Sequence, residues 1–315
     1  MLVLYNPLSG RLNRRGRTLQ RIEEALPAAT PVPVVGPEET RTVLAHADVD
    51  HRDLVCVAGG DGSVQAVLTA LQALLPNEAW PVIAPLPTGS TNMTASDLGM
   101  GRLGRALGAA RGAAGLEGTD GPEVERAVLL LEPEGSPPLC GMFFGLGAIT
   151  EGVEFFRTRL RGGGPTGESL SLLSILRVMV GMLLPGGDAR GSVETELTLE
   201  GGASVQRTLR LGLATTLNRL VLGFRPYWGS EPAPIHFTAV DHQARAVWPA
   251  IPRIARGRPG PRLTPERGYR SRNVHRLELR FPGSFVLDGE VYPAPGAHRY
   301  LRLSAPRTVR WVAAP

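Results

Sequence analysis

The stretch "VAGGDGSVQAV", from Val57 to Val67, ends an apolar run with two glycines, an aspartate, a third glycine and a serine. The run that leads into it, "LVCVA" (Leu54 to Ala58), has the pattern of a buried parallel strand. After the glycines, apolar residues recur at helical spacing and fall on one face: Val64, Val67, Leu68 and Leu71. The stretch therefore predicts a strand, a tight glycine turn and a helix that begins near Ser63.

The same alternation of strand and helix signals runs through the first third of the chain. Three more short apolar runs predict strands: "LVLYN" (Leu2 to Asn6), "VPVV" (Val32 to Val35) and "PVIAPLP" (Pro81 to Pro87). Segments such as "RTLQRIEEALP" and "ETRTVLAHA" between them have helical spacing. A repeated strand–helix–strand unit predicts an α/β, Rossmann-like domain over residues 1–121.

The pattern changes after residue 121. Successive segments such as "VETELTLEG" and "VHRLELRF" alternate apolar with polar residues and are separated by glycine and proline turns. They predict an antiparallel β-sandwich domain over residues 122–304. The stretch from Arg253 to Ser271 has the composition of a long, basic, irregular connection.

Composition limits the classes of function. The 315 residues are 43% hydrophobic, enough for a folded core, and the net charge of +5 with a pI near 9.8 suggests an anionic partner. All 34 basic residues are arginine, so the chain has no Walker A lysine and no protein-kinase strand lysine. Nucleic acid is disfavoured as the partner because aromatic residues make up 5% of the chain and the arginines are dispersed.

The cysteines and the first residues predict a cytoplasmic protein. Cys56 and Cys140 lie far apart in apolar runs, which predicts core residues and no disulfide framework. The opening "MLVLYNPLSG" has no basic leader or cleavage signature. The six histidines form no metal-binding spacing, so no zinc site is expected.

The glycine turn after Ala58 has two interpretations. Gly59, Gly60 and Gly62 let a ligand approach the backbone amides, and the amino terminus of the following helix favours a phosphate. Alternatively, the stretch is an ordinary strand-to-helix turn in which Asp61 or Ser63 caps the helix.

Two further loops follow predicted strands in the same way: "NPLSGR" (Asn6 to Arg11) and "PLPTGSTN" (Pro85 to Asn92). The carboxyl ends of parallel strands meet at one edge of a sheet, which is where open α/β folds bind ligands. Arginines just beyond the first loop could reach phosphate oxygens or form a solvated helix face: Arg11, Arg14, Arg15 and Arg17. The glycine-rich "GGGPTG" (Gly162 to Gly167) follows no strand and is interpreted as a connection.

Near the end of the chain, "VLDGEVYP" places Asp288 and Glu290 on either side of Gly289. Asp-Gly between alternating runs is a strong β-hairpin signal. Paired carboxylates can also deprotonate a hydroxyl or bind Mg²⁺. Both interpretations stay open at this point.

Taken together, "NPLSG", "GGDGS", "PTGSTNMTASDLG" and "LDGE", in this order, resemble the diacylglycerol kinase catalytic-domain superfamily. That group includes bacterial diacylglycerol kinase-like lipid kinases, sphingosine kinases and ceramide kinases. The resemblance implies a nucleotide-binding α/β domain of the NAD kinase-like type, a β-sandwich domain, and ATP and Mg²⁺ as cofactors. It also implies that the C-terminal segment, residues 305–315, returns to the first domain.

The resemblance assigns roles by position. Asp288 would be the general base for a lipid hydroxyl, Glu290 would assist it through Mg²⁺ or a hydrogen bond, and Asp61 would help to hold metal or phosphate. Met93 stands where many members have an aspartate. The nucleotide would be lined by Asn6, Ser9, Gly10, Arg11, Gly59, Gly60, Gly62, Ser63, Gly89, Ser90 and Asn92.

The longest apolar segment, Ser171 to Gly187, is shorter than a membrane-spanning helix requires and contains Arg177. The resemblance places helices around the acyl-chain pocket in this region, although a buried core helix would have the same spacing. The candidate lipid-binding residues are Leu173, Leu176, Met179, Val180 and Leu183.

These observations predict an ATP- and Mg²⁺-dependent lipid kinase that is cytoplasmic and contacts the membrane peripherally. Two alternatives remain: a kinase acting on a small soluble alcohol, like the NAD kinases of this fold, and a non-catalytic lipid- or nucleotide-binding relative. The sequence does not fix the oligomeric state, and a homodimer is compatible with it.

Overall fold

The computed structural model describes residues 1–14, 16–76, 79–116, 122–161 and 191–314. The chain packs into two compact units. Unit 1 comprises Met1–Val128, Leu217–Gly223 and Arg307–Pro315, and unit 2 comprises Leu129–Thr216 and Phe224–Pro306. The domain boundaries expected at residues 121 and 304 remain predictions.

Unit 1 contains a parallel sheet whose strands lie in the order β2 (Pro31–Pro33), β1 (Leu2–Tyr5), β3 (Leu54–Gly59), β4 (Val82–Pro87) and the end of β15 (Gly296–Val312). Every residue of β3 and β4 is buried, as continuous apolar strands in a covered parallel sheet should be. The elements that lie mainly in this unit are β1 (Leu2–Tyr5), α1 (Gly10–Arg14), α2 (Arg17–Ala25), β2 (Pro31–Pro33), α3 (Gly36–Ala47), β3 (Leu54–Gly59), α4 (Asp61–Leu74), β4 (Val82–Pro87), α5 (Met93–Asp97) and α6 (Leu103–Ala113).

The helix predicted after the glycine turn is α4, and the apolar face expected for it is buried, with at most 3% exposure at Val64. The helix begins at Asp61, two residues before the predicted start. Gly60 is its N-cap residue, and no side chain caps it. Asp61 and Ser63 therefore do not cap this helix.

The C-terminal strand completes the sheet of unit 1. Strand β15 (Gly296–Val312) runs parallel to β4 where Trp311 pairs with Ile83, and Trp311 is fully buried. Beyond the strand, the Ala313 amide donates to the Pro122 carbonyl at 2.9 Å, and the Ala314 amide donates to the Leu98 carbonyl at 2.9 Å.

Unit 2 is rich in antiparallel strands, which confirms the predicted fold class of an α/β domain followed by an antiparallel β domain. Strand β9 pairs with β7, β8 and β10, and β12 pairs with β8 and β15. The other elements are β5 (Glu123–Pro133), which begins in unit 1, β6 (Leu139–Gly141), β7 (Phe143–Gly147), α7 (Ala148–Arg161), β8 (Val193–Leu199), β9 (Val205–Thr215), β10 (Ile235–Asp241), α8 (Val247–Ala255), β11 (Tyr269–Val274), β12 (Arg276–Phe281), β13 (Ser284–Leu287) and β14 (Glu290–Pro293).

One predicted segment differs in the structure, and another lies outside the described residues. The stretch from Arg253 to Ser271 is not irregular throughout, because α8 extends to Ala255 and β11 begins at Tyr269. The apolar segment from Ser171 to Gly187, with all five candidate lipid-binding residues, lies outside the described residues, as does the "GGGPTG" stretch. None of the helices in the described part of the chain is long and apolar enough to span a membrane.

Candidate active site

Three loops meet at the carboxyl edge of the parallel sheet in unit 1. The loop after β1 is tied to the end of β3, since the Asn6 amide donates to the Ala58 carbonyl at 2.9 Å. It is tied to the loop after β4 as well. The Ser9 and Thr88 hydroxyls lie 2.9 Å apart, and the Arg11 amide donates to the Thr88 carbonyl at 3.0 Å. The loops predicted to converge thus form one hydrogen-bonded cluster.

The glycines of these loops lie against neighbouring backbone and side chains of the cluster. A Cβ atom on Gly89 would lie 2.4 Å from the Cα of Gly60, a distance that backbone atoms do not tolerate. A Cβ on Gly59 would lie 2.3 Å from the Cβ of Ser63. Glycine is therefore required at Gly89 by the close approach of the β3 and β4 loops to each other, and at Gly59 by the closeness of Ser63 in the turn that follows β3.

Asn92 closes the loop that follows β4. It has a left-handed backbone conformation, with φ of 49°, and is 6% exposed. Its side-chain oxygen accepts from the Gly89 amide at 3.0 Å, and its side-chain amide donates to the Gly89 carbonyl at 2.7 Å. This reciprocal pair fixes the turn that carries the exposed Ser90.

Asp61 links the loop after β3 to the segment that follows β4. Its side chain is buried, and one carboxylate oxygen accepts from the Thr91 hydroxyl and the Met93 amide, both at 2.9 Å. The other oxygen accepts from the Thr94 amide at 3.0 Å. The carboxylate thus satisfies the first amides of α5, where a negative charge is favourable. Met93 itself is buried, with 8% exposure.

The remaining candidate nucleotide residues lie on the same loops. The Asn6 side-chain amide donates weakly to the Ser63 hydroxyl at 3.5 Å, and an Arg11 guanidinium nitrogen donates to the Pro87 carbonyl at 3.2 Å. Gly10 is the first residue of α1, and Gly62 is the second residue of α4. Arg17 is exposed on α2, whereas Arg15 and the side chain of Arg14 are not described.

In unit 2, Asp288 and Gly289 form the two-residue turn that joins β13 to β14. Leu287 pairs with Glu290, and both turn residues are left-handed, with φ of 49° and 88°. Asn-Gly and Asp-Gly turns of this kind are typical of tight hairpins, so the predicted hairpin is confirmed. Glu290 begins β14 and is half-buried.

The Asp288 side chain is buried and hydrogen-bonded, which a hairpin turn alone does not require. It is 4% exposed, and its two carboxylate oxygens accept from the consecutive amides of Met142 and Phe143, each at 2.9 Å. The Asp288 amide in turn donates to the Phe143 carbonyl at 2.9 Å. The hairpin tip is therefore held against the start of β7 with its carboxylate in one fixed position.

Sequence reasoning did not identify the residues that create this position. A Cβ atom on Gly141 would lie 2.5 Å from a carboxylate oxygen of Asp288 and 2.6 Å from Leu287 Cδ1. Gly141, together with the amides of Met142 and Phe143, forms the receptacle for the Asp288 carboxylate. The glycine inside the strand-like run "LCGMFF" was the available signal, since such glycines often mark a close approach of other atoms.

The donor groups set limits on Mg²⁺ binding. Among the described residues, no three His, Cys, Asp or Glu side chains cluster as a metal site. Kinases commonly hold Mg²⁺ with one or two carboxylates and the phosphates of the nucleotide, so carboxylates such as those of Asp61 and Glu290 are donors of the right kind. The Asp61 carboxylate already accepts three hydrogen bonds.

A cavity of about 640 Å³ opens in unit 2. Its apolar lining includes Leu197, Val205, Trp228, Phe237 and Tyr269. Arg207, Arg270 and Arg272 also line it, and these arginines pair with Asp241 or Glu231. A second cavity of about 300 Å³ shares Leu199 and Arg272 with the first. Neither cavity is lined by a predicted site residue.

Known structures share this fold over the whole chain. A provisionally named diacylglycerol kinase from Bacillus anthracis str. Sterne superposes with a TM-score of 0.66 at 16% identity, covering 100% of this chain and 95% of its own. A diacylglycerol kinase from the same organism gives a TM-score of 0.58 at 15% identity, covering 100% and 96%. None of the curated proteins matches the sequence.

The family comparison concerns the first unit. Residues 1–116 match the model of the diacylglycerol kinase catalytic domain. That span contains all three loops of the cluster, from Asn6 to Asn92, and the match confirms the resemblance seen in the motifs. The match supports a kinase, and the first 116 residues of this chain are similar to a diacylglycerol kinase catalytic domain.

Proposed function

We propose that this protein is a lipid kinase that transfers the γ-phosphoryl group of ATP to the hydroxyl of a lipid. The observation that carries the proposal is the Asp288 carboxylate, fixed by two backbone amides on a chain whose first 116 residues match a kinase catalytic domain. A hairpin turn needs neither the burial nor the charge of this side chain, so a chemical role accounts for both.

In the proposed reaction, the loop cluster of unit 1 binds the nucleotide. Backbone amides of the loops after β1, β3 and β4 and the amino-terminal end of α4 offer hydrogen-bond donors and a positive dipole to the phosphates. Asn6, Ser9, Gly10 and Arg11 contribute from the first loop, Gly59 to Ser63 from the second, and Gly89, Ser90 and Asn92 from the third. We assign Asp61 a positioning role, since its carboxylate holds the second and third loops together.

Asp288 acts as the general base. Each carboxylate oxygen accepts one backbone hydrogen bond, and a carboxylate is a suitable acceptor for the proton of a hydroxyl. The two amides fix the orientation of the carboxylate, and proper placement of a base is worth a large factor in rate. The proton moves to Asp288 as the hydroxyl oxygen attacks the γ-phosphorus and the bond from that phosphorus to the β–γ bridging oxygen breaks.

Mg²⁺ supplies charge neutralisation when it is bound with ATP. Glu290, two residues from the base, is the residue we assign to its protein contact, with the nucleotide phosphates providing the other ligands. The sequence predicts Asp61 as a metal ligand together with Glu290, and the three hydrogen bonds that its carboxylate already accepts disfavour this role.

A lipid acceptor is favoured over a small soluble alcohol by the family comparison, since the matched domain is the catalytic domain of diacylglycerol kinases. The candidate acyl-chain residues from Leu173 to Leu183 lie outside the described residues and remain predictions.

The test is transfer of labelled phosphate from MgATP to a panel of acceptors in mixed micelles. The panel contains diacylglycerol, monoacylglycerol, sphingosine and ceramide, with glycerol and NAD as soluble alcohols. Label in one lipid and in no soluble alcohol is the expected result. Label in a soluble alcohol alone would refute the lipid assignment, and MgATP binding without transfer to any acceptor would favour a non-catalytic binding protein.

A further inference from the structure

One segment of unit 2 is rich in positive charge. Residues 242–265 contain five arginines and no acidic residue, whereas the whole chain has 34 basic and 29 acidic residues.

The structure gathers part of this charge on one exposed surface. The turn that ends α8 brings arginines together, because the amides of Arg256 and Arg258 donate to the Arg253 carbonyl at 3.2 and 3.0 Å. The Arg225 amide donates to the Ala255 carbonyl at 2.9 Å, which adds a fourth arginine. We call Arg225, Arg253, Arg256 and Arg258 the arginine surface, and all four are exposed.

No acidic side chain in the described part of the chain forms an ion pair with these four arginines. Some exposed arginines elsewhere do have such partners: Arg41 pairs with Glu38, Arg52 with Asp50 and Arg280 with Glu196. Four exposed guanidinium groups with no acidic partner among the described residues give the arginine surface a positive potential that attracts polyanions.

The surface is also held rigidly. Helix α8 buries Val247 and Ala250 against unit 2, which turns Pro252 and Arg253 outward. A Cβ atom on Gly257 would lie 2.5 Å from the Tyr227 carbonyl oxygen and 2.6 Å from the Arg225 carbonyl oxygen, so the turn packs closely on residues 225–227. Guanidinium groups on a fixed frame suit bidentate contacts with phosphate groups.

We infer that the arginine surface docks the protein on a membrane that contains anionic phospholipid. The inference rests on the proposed function, because a lipid kinase must reach an acceptor that lies in a membrane. Phosphodiester headgroups supply the complementary charge.

The test is binding to sedimented vesicles, measured without nucleotide on the full chain. Vesicles of phosphatidylcholine with about one-third phosphatidylglycerol are compared with vesicles of phosphatidylcholine alone. The variant R253Q/R256Q/R258Q removes three charges from the surface. The control R41Q/R52Q/R280Q removes three exposed arginines that are ion-paired. Thermal melting checks that both variants fold.

We expect binding only to the anionic vesicles, weakened by higher salt, and reduced roughly 100-fold in the surface variant at about fivefold per arginine. The control should lose less than about threefold. Equal losses in both variants, or no loss in the surface variant, would overturn the inference. So would tighter binding of a single-stranded RNA that the same variant abolishes. Because no turnover is measured, vesicle binding and kinase activity can fail independently.

Discussion

Two buried aspartates, Asp61 in unit 1 and Asp288 in unit 2, are each 4% exposed and accept hydrogen bonds from backbone amides. They differ in setting. Asp61 lies in the first turn of a helix with unstrained backbone, and its partners belong to a neighbouring loop of the same cluster. Asp288 lies on a left-handed turn residue at the tip of a hairpin, opposite a glycine that makes room for its carboxylate.

The difference separates a structural carboxylate from a chemical one. Replacing Asp61 would loosen two loops that bind the nucleotide in our proposal, so its effect should appear in folding stability and nucleotide affinity. Replacing or displacing Asp288 should leave the loop cluster intact and reduce the rate of phosphoryl transfer. The predictions that follow test each half of this comparison.

After removal of the Asp288 carboxylate itself, the largest effect is expected from Gly141→Ala, which keeps Asp288 but displaces it. The new methyl group would lie 2.5 Å from the carboxylate, so the base must shift by about 1 Å, which typically costs about 100-fold in rate. Turnover at saturating MgATP should fall by this factor while nucleotide affinity is unchanged. Wild-type turnover in this variant would contradict the role of Asp288.

Gly89→Ala should disturb the loop cluster of unit 1 and leave Asp288 in place. The methyl group would lie 2.4 Å from the Gly60 Cα, and two backbone segments must separate to admit it. We expect a loss of about 1–3 kcal/mol in the free energy of unfolding and about tenfold weaker MgATP binding by calorimetry. Gly108→Ala is the matched control, since nothing lies within 4 Å of the new Cβ in helix α6. That variant should bind MgATP normally.

Much of this architecture could be predicted from the sequence, because it depends on local patterns. The strand at Leu54 to Ala58, the buried face of α4 and the Asp-Gly hairpin all follow from periodicity or turn chemistry. The partners of the two aspartates could not be predicted, because Asp61 bonds to residues at least 30 positions away and Asp288 to residues 145 and 146 positions away. Such contacts are set by tertiary packing, and no local pattern encodes them.

A smaller effect is expected from Asp61→Asn. The change removes the charge from a group with three hydrogen bonds and turns an amide nitrogen toward donors, which should cost about 2 kcal/mol in the free energy of unfolding by urea. The KM for ATP should rise while kcat stays within about threefold. If kcat fell by about 100-fold or more in the folded variant, Asp61 would have a direct role in phosphoryl transfer.

The effect furthest from the proposed chemistry concerns the strand that leads into the glycine turn. Burial raises the pKa of the Cys56 thiol on β3 to about 12, from a reference of 9.0. In the folded protein at pH 8, alkylation of Cys56 should be roughly 1,000-fold slower than in urea. Because the folded pKa is raised, this thiol stabilises the fold fully below pH 9, and the contribution is lost as pH rises toward 12. Rapid labelling of the native thiol would show that the strand opens.

The central claim is tested most directly by Asp288→Asn, measured for MgATP affinity and for phosphoryl transfer to the lipid acceptor on the same preparation. The proposed mechanism predicts affinity within about threefold of wild type and transfer reduced by about 10²- to 10⁴-fold, the contribution of a general base. The amide can still form the Asn-Gly turn, so the hairpin should persist. Transfer at the wild-type rate in this variant would contradict the assignment of Asp288 as the base.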